Sequence, residues 1–382
     1  MKKLKILLTV IGCCMLAIFA SKFAQYDQFG CEQAKADKQY IDDVTFDKQW
    51  QDISEVNLSK WVSKTNSQRG LVVGLDMQTG KIISFVDNNS NPRNIDCSGD
   101  KRLAFSAYEP GSVMKPLTVA IAFNEKVIDS NTQFEVLYRT SIDDQEISNA
   151  KDYHQKVFRA HEIVEASLNN GAIEISKKLG NNKIDSRARN TMFDYYTNKY
   201  FLGTRSRLDI LSEDSGYLPP PDGIQNDEYR YAVMSFGLGL TTTPLQLLKA
   251  YSVILNGKQP LVEPHFGDNE TQTYVSEITE ETSRTMIRIL QGTLAQSGYQ
   301  LPKGYIAGGK TGTSYTAKSN GTYKDGLQND TGTYLGFIGK DKPRYLILTR
   351  LDEPKNKSFA SAEAKKLWQD IVGQLLKDQL VN

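Results

Sequence analysis

Histidine and cysteine are scarce in this chain of 382 residues, and neither sign of charge dominates. The three histidines, His154, His161 and His265, stand in no ligand pattern, and the four cysteines fit no zinc-binding spacing. A metalloenzyme and a histidine-based catalytic triad are therefore not expected. The 46 basic and 45 acidic side chains leave a net charge of +1, which gives no reason to expect a nucleic-acid partner.

Long apolar runs are also absent, with one exception over residues 6–20, behind a five-residue stub that carries three lysines. The run is shorter than the roughly 20 residues of a usual spanning helix, and it resembles the apolar region of a secretory signal. No clean cleavage site follows, so the pattern favours an uncleaved membrane signal-anchor over 6–21 rather than a cleaved signal. A lipoprotein signal ending at Cys13 or Cys14 is a weaker match. The lysines predict residues 1–5 in the cytoplasm and the rest outside.

An exported chain changes the interpretation of the two remaining cysteines, Cys31 and Cys97. In an oxidising compartment they can pair, or they can be two unrelated small buried residues. The sequence leaves both readings open.

With 39% hydrophobic and 24% charged residues, the chain can bury a sizeable core. Residues 22–66 are polar and predict a short stalk or cap, and 67–382 form the main domain. Strand-like runs at 71–76 and 81–86 predict a hairpin, and three more strands are predicted at 305–313, 334–339 and 345–351. This order predicts an α+β fold, a five-stranded antiparallel sheet built from both chain ends, flanked by helices. A mostly helical insertion is predicted over about 112–300, with helices after Ser112, over 161–179, near 186–199, 245–256 and 279–296, a loop over 212–228, and a last helix over 361–376.

Three short motifs suggest chemistry, beginning with Ser112 and Lys115 in the context Glu-Pro-Gly-Ser-Val-Met-Lys-Pro. A spacing of three places both side chains on one side of a helix. Pro116 directly follows Lys115, and because a proline inside a helix would break it, the pair is expected near the start of that helix. The lysine can take the serine proton only when neutral, so its pKa must be lowered by burial or by a second cation. Lys310 is the natural second cation. Taken alone, this spacing also fits an ordinary solvated helix face.

The other two motifs are Ser167-Leu168-Asn169 and Lys310-Thr311-Gly312-Thr313. Ser167 can relay a proton and Asn169 can bind a peptide amide, although both also suit capping positions. On an edge strand, Gly312 admits a ligand backbone, and the hydroxyls of Thr311 and Thr313 can bind a carboxylate. The backbone N–H groups of Thr313 and Ser112 can form an oxyanion hole. The alternative is a strand with a glycine bulge.

In this order and context, the three motifs resemble those of the penicillin-binding proteins. The Glu-Pro-Gly-Ser-x-x-Lys-Pro context, the stretch from Phe236 to Gln246 and the tail Leu351-Asp352-Glu353-Pro354 are similar to class B transpeptidases of cell division and elongation. The similarity covers about residues 67–376. The N-terminal part is shorter than the family's usual pedestal.

The resemblance implies a penicillin-binding protein transpeptidase or serine β-lactamase-like fold and peptidoglycan D,D-transpeptidation through a Ser112 acyl-enzyme. It implies stem peptides and β-lactams as ligands and neither metal nor cofactor. It also implies a single-pass inner-membrane protein with a periplasmic catalytic domain, with a membrane glycosyltransferase or divisome proteins as partners in cell division or cell shape.

Alternative functions are a serine β-lactamase, a D,D-carboxypeptidase and a catalytically silent β-lactam sensor or scaffold. Glu165-Ala166-Ser167-Leu168-Asn169 matches the Glu-x-x-Leu-Asn loop of class A β-lactamases, in which the glutamate activates water. We interpret this match as coincidence, because the same residues would have to serve two motifs. Glu165 is therefore expected to be a solvated helix residue.

Overall fold

The computed structural model describes residues 43–89, 103–206, 212–223, 227–267, 272–315, 330–356 and 358–381, with positions 39, 41, 208 and 210. The predicted signal-anchor and all four cysteines lie outside the described residues. Within those ranges, no helix combines the length and the apolar character needed to cross a membrane.

The elements follow the predicted order of two strands, a long helical region, three strands and a final helix. In chain order they are α1 (Lys48–Thr65), β1 (Arg69–Asp76), β2 (Ile82–Asn89), α2 (Lys115–Asn124), β3 (Gln133–Glu135), β4 (Arg139–Ile142), β5 (Gln145–Ser148), β6 (Val157–Arg159), α3 (Ala160–Glu165), α4 (Asn169–Lys177), α5 (Ser186–Asp194), α6 (Asp227–Met234), α7 (Pro244–Asn256), β7 (Pro260–Val262), β8 (Thr273–Val275), α8 (Glu280–Ala295), β9 (Ile306–Tyr315), β10 (Asp330–Gly339), β11 (Tyr345–Asp352) and α9 (Ala360–Lys377).

The central sheet has five antiparallel strands in the order β2-β1-β11-β10-β9. The hairpin β1–β2 pairs with β11, so the two ends of the chain meet inside one sheet. Among the strands that the structure describes, β9 lies at the sheet edge and pairs with β10, with Lys310 opposite Leu335 and Gly312 opposite Thr333. The predicted α+β fold with its five-stranded antiparallel sheet is confirmed.

Both faces of the sheet are covered, which explains why its strands are apolar at successive positions rather than at alternate ones. On β1, Leu71 and Val73 join the core that includes side chains from α2, α7 and α8. Val72 points to the opposite face and joins a second core that includes residues of α1 and α9.

The helix α1 comes from the stretch that sequence reasoning assigned to a stalk or cap. Its N-terminus is capped by Asp47, whose side chain accepts hydrogen bonds from the N–H groups of Gln49 and Trp50. Trp50 and Trp61 are buried against the sheet layer, and the Trp61 indole N–H donates to Asp370 of α9 at 2.9 Å. Residues 48–65 therefore form part of the domain's outer helical layer.

The single helix predicted over 161–179 is wrong, because α3 and α4 are two helices separated at Ser167. Ser167 has a left-handed backbone with φ 56°, which a continuous α-helix does not allow. Its carbonyl oxygen accepts from Lys115 Nζ at 2.6 Å instead of from a helical N–H. The two helices stay in contact across the break, since a Cβ on Gly171 would lie 2.6 Å from Cγ2 of Ile163.

The other helices lie close to their predicted positions. Thr243 caps α7 by accepting from the Gln246 N–H, Pro244 occupies its first turn, and Gly257 follows it with a positive φ. The predicted helix near 186–199 is α5 continued by a π-helical turn over Tyr195–Lys199. The predicted loop over 212–228 gives way to α6 at Asp227.

Candidate active site

Ser112 lies in a 3₁₀ turn, Gly111–Met114, that runs directly into α2. Two glycines let this turn pack against the edge strand β9. A Cβ on Gly111, whose φ is +60°, would lie 2.3 Å from the carbonyl oxygen of Thr313, and a Cβ on Gly312 would lie 2.4 Å from that of Pro110. The backbone of the serine turn and that of the strand are therefore in direct contact, which only glycine permits.

The turn is also held by contacts with the stretch that begins at Phe236. The Gly111 N–H donates to the carbonyl oxygen of Gly237 at 2.9 Å, and the Gly239 N–H donates to Glu109 Oε1 at 2.8 Å. The two stretches that carried the family resemblance, one around Ser112 and one beginning at Phe236, thus contact each other. In the sequence, Glu109 was only part of the context of the Ser112 motif. The structure shows that the Glu109 carboxylate supports the serine turn.

Lys115, on the first turn of α2, is fully buried, with no exposed surface. Its Nζ lies 2.9 Å from Ser112 Oγ, 2.6 Å from the Ser167 carbonyl oxygen, 3.2 Å from Ser167 Oγ and 2.9 Å from Asn169 Oδ1. Burial, and secondly the nearby charge of Lys310, hold the pKa of the Lys115 amine well below its usual value. No carboxylate is among these contacts, so nothing in this set offsets the cost of a buried charge.

Ser167 joins the two lysines, and the break between α3 and α4 is what turns it toward them. Lys310 Nζ donates to Ser167 Oγ at 2.9 Å, so this hydroxyl lies between Lys115 and Lys310. Burial, and secondly the charge of Lys365 on α9, lower the pKa of Lys310 to about 7. Asn169 starts α4 and is oriented by donation from its Nδ2 to the Ser148 carbonyl oxygen at 3.0 Å.

The strand motif is divided between the two faces of β9. Side chains alternate along a strand. Lys310 and Gly312 face the serine turn, whereas Thr313 donates its hydroxyl to Ser361 Oγ of α9 at 2.7 Å. Thr311 contacts Lys310 through its carbonyl oxygen at 3.2 Å. Ser361 and Lys365 were missed by sequence reasoning, because nothing in the pattern of the last helix distinguishes them from its other polar residues.

Glu165 is partly buried and is not the solvated residue that was expected. Its Oε2 accepts from Gln296 Nε2 at 2.9 Å, and its other oxygen packs against Gly292 of α8. Burial raises the pKa of this carboxyl. The carboxylate is therefore engaged with α8.

Residues 70–373 match the penicillin-binding protein transpeptidase domain family, so the chain belongs to that family. It is 26% identical over 359 residues to stage V sporulation protein D of Bacillus subtilis, and 24% identical over 349 residues to the peptidoglycan D,D-transpeptidase FtsI of Escherichia coli K12. These alignments cover 88% and 87% of this chain, but 53% and 55% of the two relatives. The chain therefore spans about half the length of these relatives.

The fold is shared with a solved structure, the apo transpeptidase domain of Burkholderia pseudomallei penicillin-binding protein 3. The TM-score is 0.74 at 25% identity, and the alignment covers 89% of this chain and 97% of that one. With the family match, this confirms the class B penicillin-binding protein resemblance and the transpeptidase-like fold that it implied.

Proposed function

We propose that this chain is a peptidoglycan D,D-transpeptidase that forms an acyl-enzyme on Ser112. One observation carries the proposal: the amine of Lys115 is completely buried, without a carboxylate partner among its hydrogen bonds, 2.9 Å from the Ser112 hydroxyl. A deprotonated amine in that position is a general base for the serine. The relative FtsI of E. coli is named as a peptidoglycan D,D-transpeptidase.

The hydrogen bonds around Lys115 suit a neutral amine, which has two protons and one lone pair. The Ser167 carbonyl oxygen and Asn169 Oδ1 can only accept, so they take both protons. The lone pair is then left for the Ser112 hydroxyl proton. An ammonium would instead bring a third N–H to the serine oxygen and would make it a poorer nucleophile.

In the first half-reaction, Ser112 Oγ attacks the carbonyl carbon of a D-Ala–D-Ala bond as its proton moves to Lys115. The backbone N–H groups of Ser112 and Thr313 are the proposed oxyanion donors, and the contact between Gly111 and the Thr313 backbone supports their proximity. The amide C–N bond then breaks, leaving an ester on Ser112. The departing D-Ala amine receives the proton from Lys115 through Ser167 Oγ, which Lys310 orients.

In the second half-reaction, an amine from a neighbouring stem peptide attacks the ester and passes its proton back along the same path. The ester C–O bond to Ser112 breaks as the new amide bond forms, and Ser112 recovers its proton, so the exchange is balanced without a cofactor. Asn169, held by the Ser148 carbonyl oxygen, is the proposed ligand for the substrate's peptide amide. Thr311, Gly312 and Thr313 are proposed to bind the backbone and terminal carboxylate of the donor peptide.

Hydrolytic alternatives are less well supported. A β-lactamase of the kind suggested by Glu165 needs that carboxylate to activate water at the acyl-enzyme. Here the Glu165 carboxylate is bound to Gln296 and packed on Gly292 of α8. Neither relative is named as a β-lactamase.

Labelling with a fluorescent penicillin tests the nucleophile and the base. The intact chain should form a stable covalent adduct, and Ser112→Ala and Lys115→Ala should both fail to do so. Incubation with a D-Ala–D-Ala peptide and an excess of a D-amino acid acceptor separates transfer from hydrolysis, since transfer yields the new amide as main product. An adduct that persists in Ser112→Ala would remove the assignment of the nucleophile.

We also propose that residues 6–21 anchor the chain in the inner membrane, with the domain on the periplasmic side, and that its partners are a membrane glycosyltransferase or divisome proteins. The lysines that precede the apolar run support this orientation. Protease added to spheroplasts should degrade the domain while the membrane stays sealed, and removal of residues 1–21 should release it into the soluble fraction. Protection of the domain until the membrane is lysed would contradict the orientation.

A further inference from the structure

Thr313 is the member of the strand motif whose hydroxyl donates to the helix α9. It donates to Ser361 Oγ at 2.7 Å, across the interface between β9 and the first turn of α9. Ser361 is only 9% exposed, whereas Thr313 on the edge strand is partly exposed. The pair therefore joins a buried hydroxyl to one at the border of the site.

Thr313 can donate to an anion only if the hydrogen bond between Thr313 and Ser361 reverses its direction. A hydroxyl has one proton to donate, and a carboxylate can only accept. While Thr313 donates to Ser361, it has no proton for a carboxylate. Rotation of the two hydroxyls resolves the conflict, because Ser361 can then donate to Thr313 while Thr313 donates outward.

We propose that Ser361 is a positioning residue that selects for a carboxylate on the acyl donor, through the relay Ser361–Thr313–carboxylate. The inference rests on the proposed function, since it assumes that the donor's carboxylate binds at Thr313. Hydrogen bonds in such a chain polarise one another, so the inner hydroxyl strengthens the outer bond to the anion.

The surroundings of Ser361 favour donation from the Ser361 hydroxyl to Thr313. It is the second residue of the 18-residue helix α9, where the field of the helix end is positive. Lys365 lies one turn further on the same face of α9, and its charge is close enough to lower the pKa of Lys310 on β9. Both effects add positive potential behind the strand motif and stabilise an anion in front of it.

The experiment compares acylation of the full chain by benzylpenicillin and by its methyl ester, followed by intact-mass spectrometry. Ser361→Ala should lower the rate with benzylpenicillin about tenfold, the effect of one hydrogen bond, and leave the rate with the neutral ester within twofold. Ser361→Thr, which keeps a hydroxyl, should restore the preference for the carboxylate. Ser358→Ala, which removes a serine hydroxyl just before the start of α9, is the matched control.

A double-mutant cycle tests the relay itself. In a Thr313→Val background, Ser361→Ala should have no further effect on the benzylpenicillin rate, because the intermediate hydroxyl is gone. Equal losses for acid and ester in Ser361→Ala, or equal effects of that change with and without Thr313, would overturn the relay and leave Ser361 a packing role. Absence of any adduct in the unmodified chain would instead defeat the proposed function, and the relay with it.

Discussion

The depressed pKa of Lys310 makes a quantitative prediction, namely that removing this lysine stabilises the fold while it abolishes acylation. Lys310 is 3% exposed, and burial followed by the charge of Lys365 lowers its pKa to about 7 from 10.5. The substitution Lys310→Met replaces the amine by an apolar side chain of similar length.

The size of the effect follows from proton linkage. Below pH 7 the lysine carries its proton in both the folded and the unfolded chain, and the folded chain bears the full cost of the buried charge. Between pH 7 and 10.5 only the unfolded chain is protonated, so the stability of the unmodified chain rises with pH by about 1.4 kcal/mol per unit. The total difference is on the order of 5 kcal/mol. Loss of the bond to Ser167 subtracts about 1 kcal/mol.

The assay is urea unfolding at steps from pH 6 to 10.5, with the difference in free energy of unfolding between Lys310→Met and the unmodified chain as the result. We expect the variant to be more stable by on the order of 4 kcal/mol near pH 6, and the advantage to disappear as the pH approaches 10.5. The exposed Lys303 provides the control, because Lys303→Met should change stability by less than about 0.5 kcal/mol. A difference that stays constant across this pH range would refute the buried, deprotonated amine.

Three further predictions concern the base, the turn and the buried ion pairs. Because the pKa of Lys115 is lowered by burial and then by Lys310, the rate of penicillin acylation should fall only when the pH drops through that lowered pKa, and stopped-flow rates from pH 5 to 10 check this; a rate that keeps rising up to pH 10 would contradict it. Gly312→Ala should slow acylation by about a hundredfold, because its Cβ would meet Pro110 O at 2.4 Å and push the serine turn away, and a rate within threefold would show that the contact is not needed. Asp352 is buried between Arg350 and Arg69 at 2.8 and 3.1 Å, so Asp352→Asn should lower the free energy of unfolding by about 3–5 kcal/mol, whereas Asp52→Asn in the exposed pair with Lys48 should leave it nearly unchanged; equal losses in urea unfolding would refute this reasoning.

Local sequence patterns were sufficient to predict a structural feature wherever that feature depended on residues within one helix or strand. The strand-like apolar runs in 71–76 and 81–86, the Thr243-Pro244 helix start and the one-turn spacing of Ser112 and Lys115 all depend on neighbours in sequence, and the structure has these elements close to the predicted bounds. The order of strands and helices was enough to predict a sheet built from both chain ends. Residues 48–65 were assigned to a stalk or cap because the stretch 22–66 is polar and too short to form a core alone, and its few apolar side chains are buried only when α9 is placed beside them.

The sequence by itself determined which side chains were available and in what order: a serine and a lysine one turn apart, a second serine, and a strand with lysine, glycine and threonines. Only the tertiary structure decided that Lys115 is wholly buried, that the helix breaks at Ser167 to offer it a carbonyl oxygen, and that Ser361 lies against Thr313. Burial and contacts between distant segments set the pKa and the direction of each hydrogen bond. Neither the pKa of a residue nor the direction of its hydrogen bonds can be assigned before the segments around it are packed.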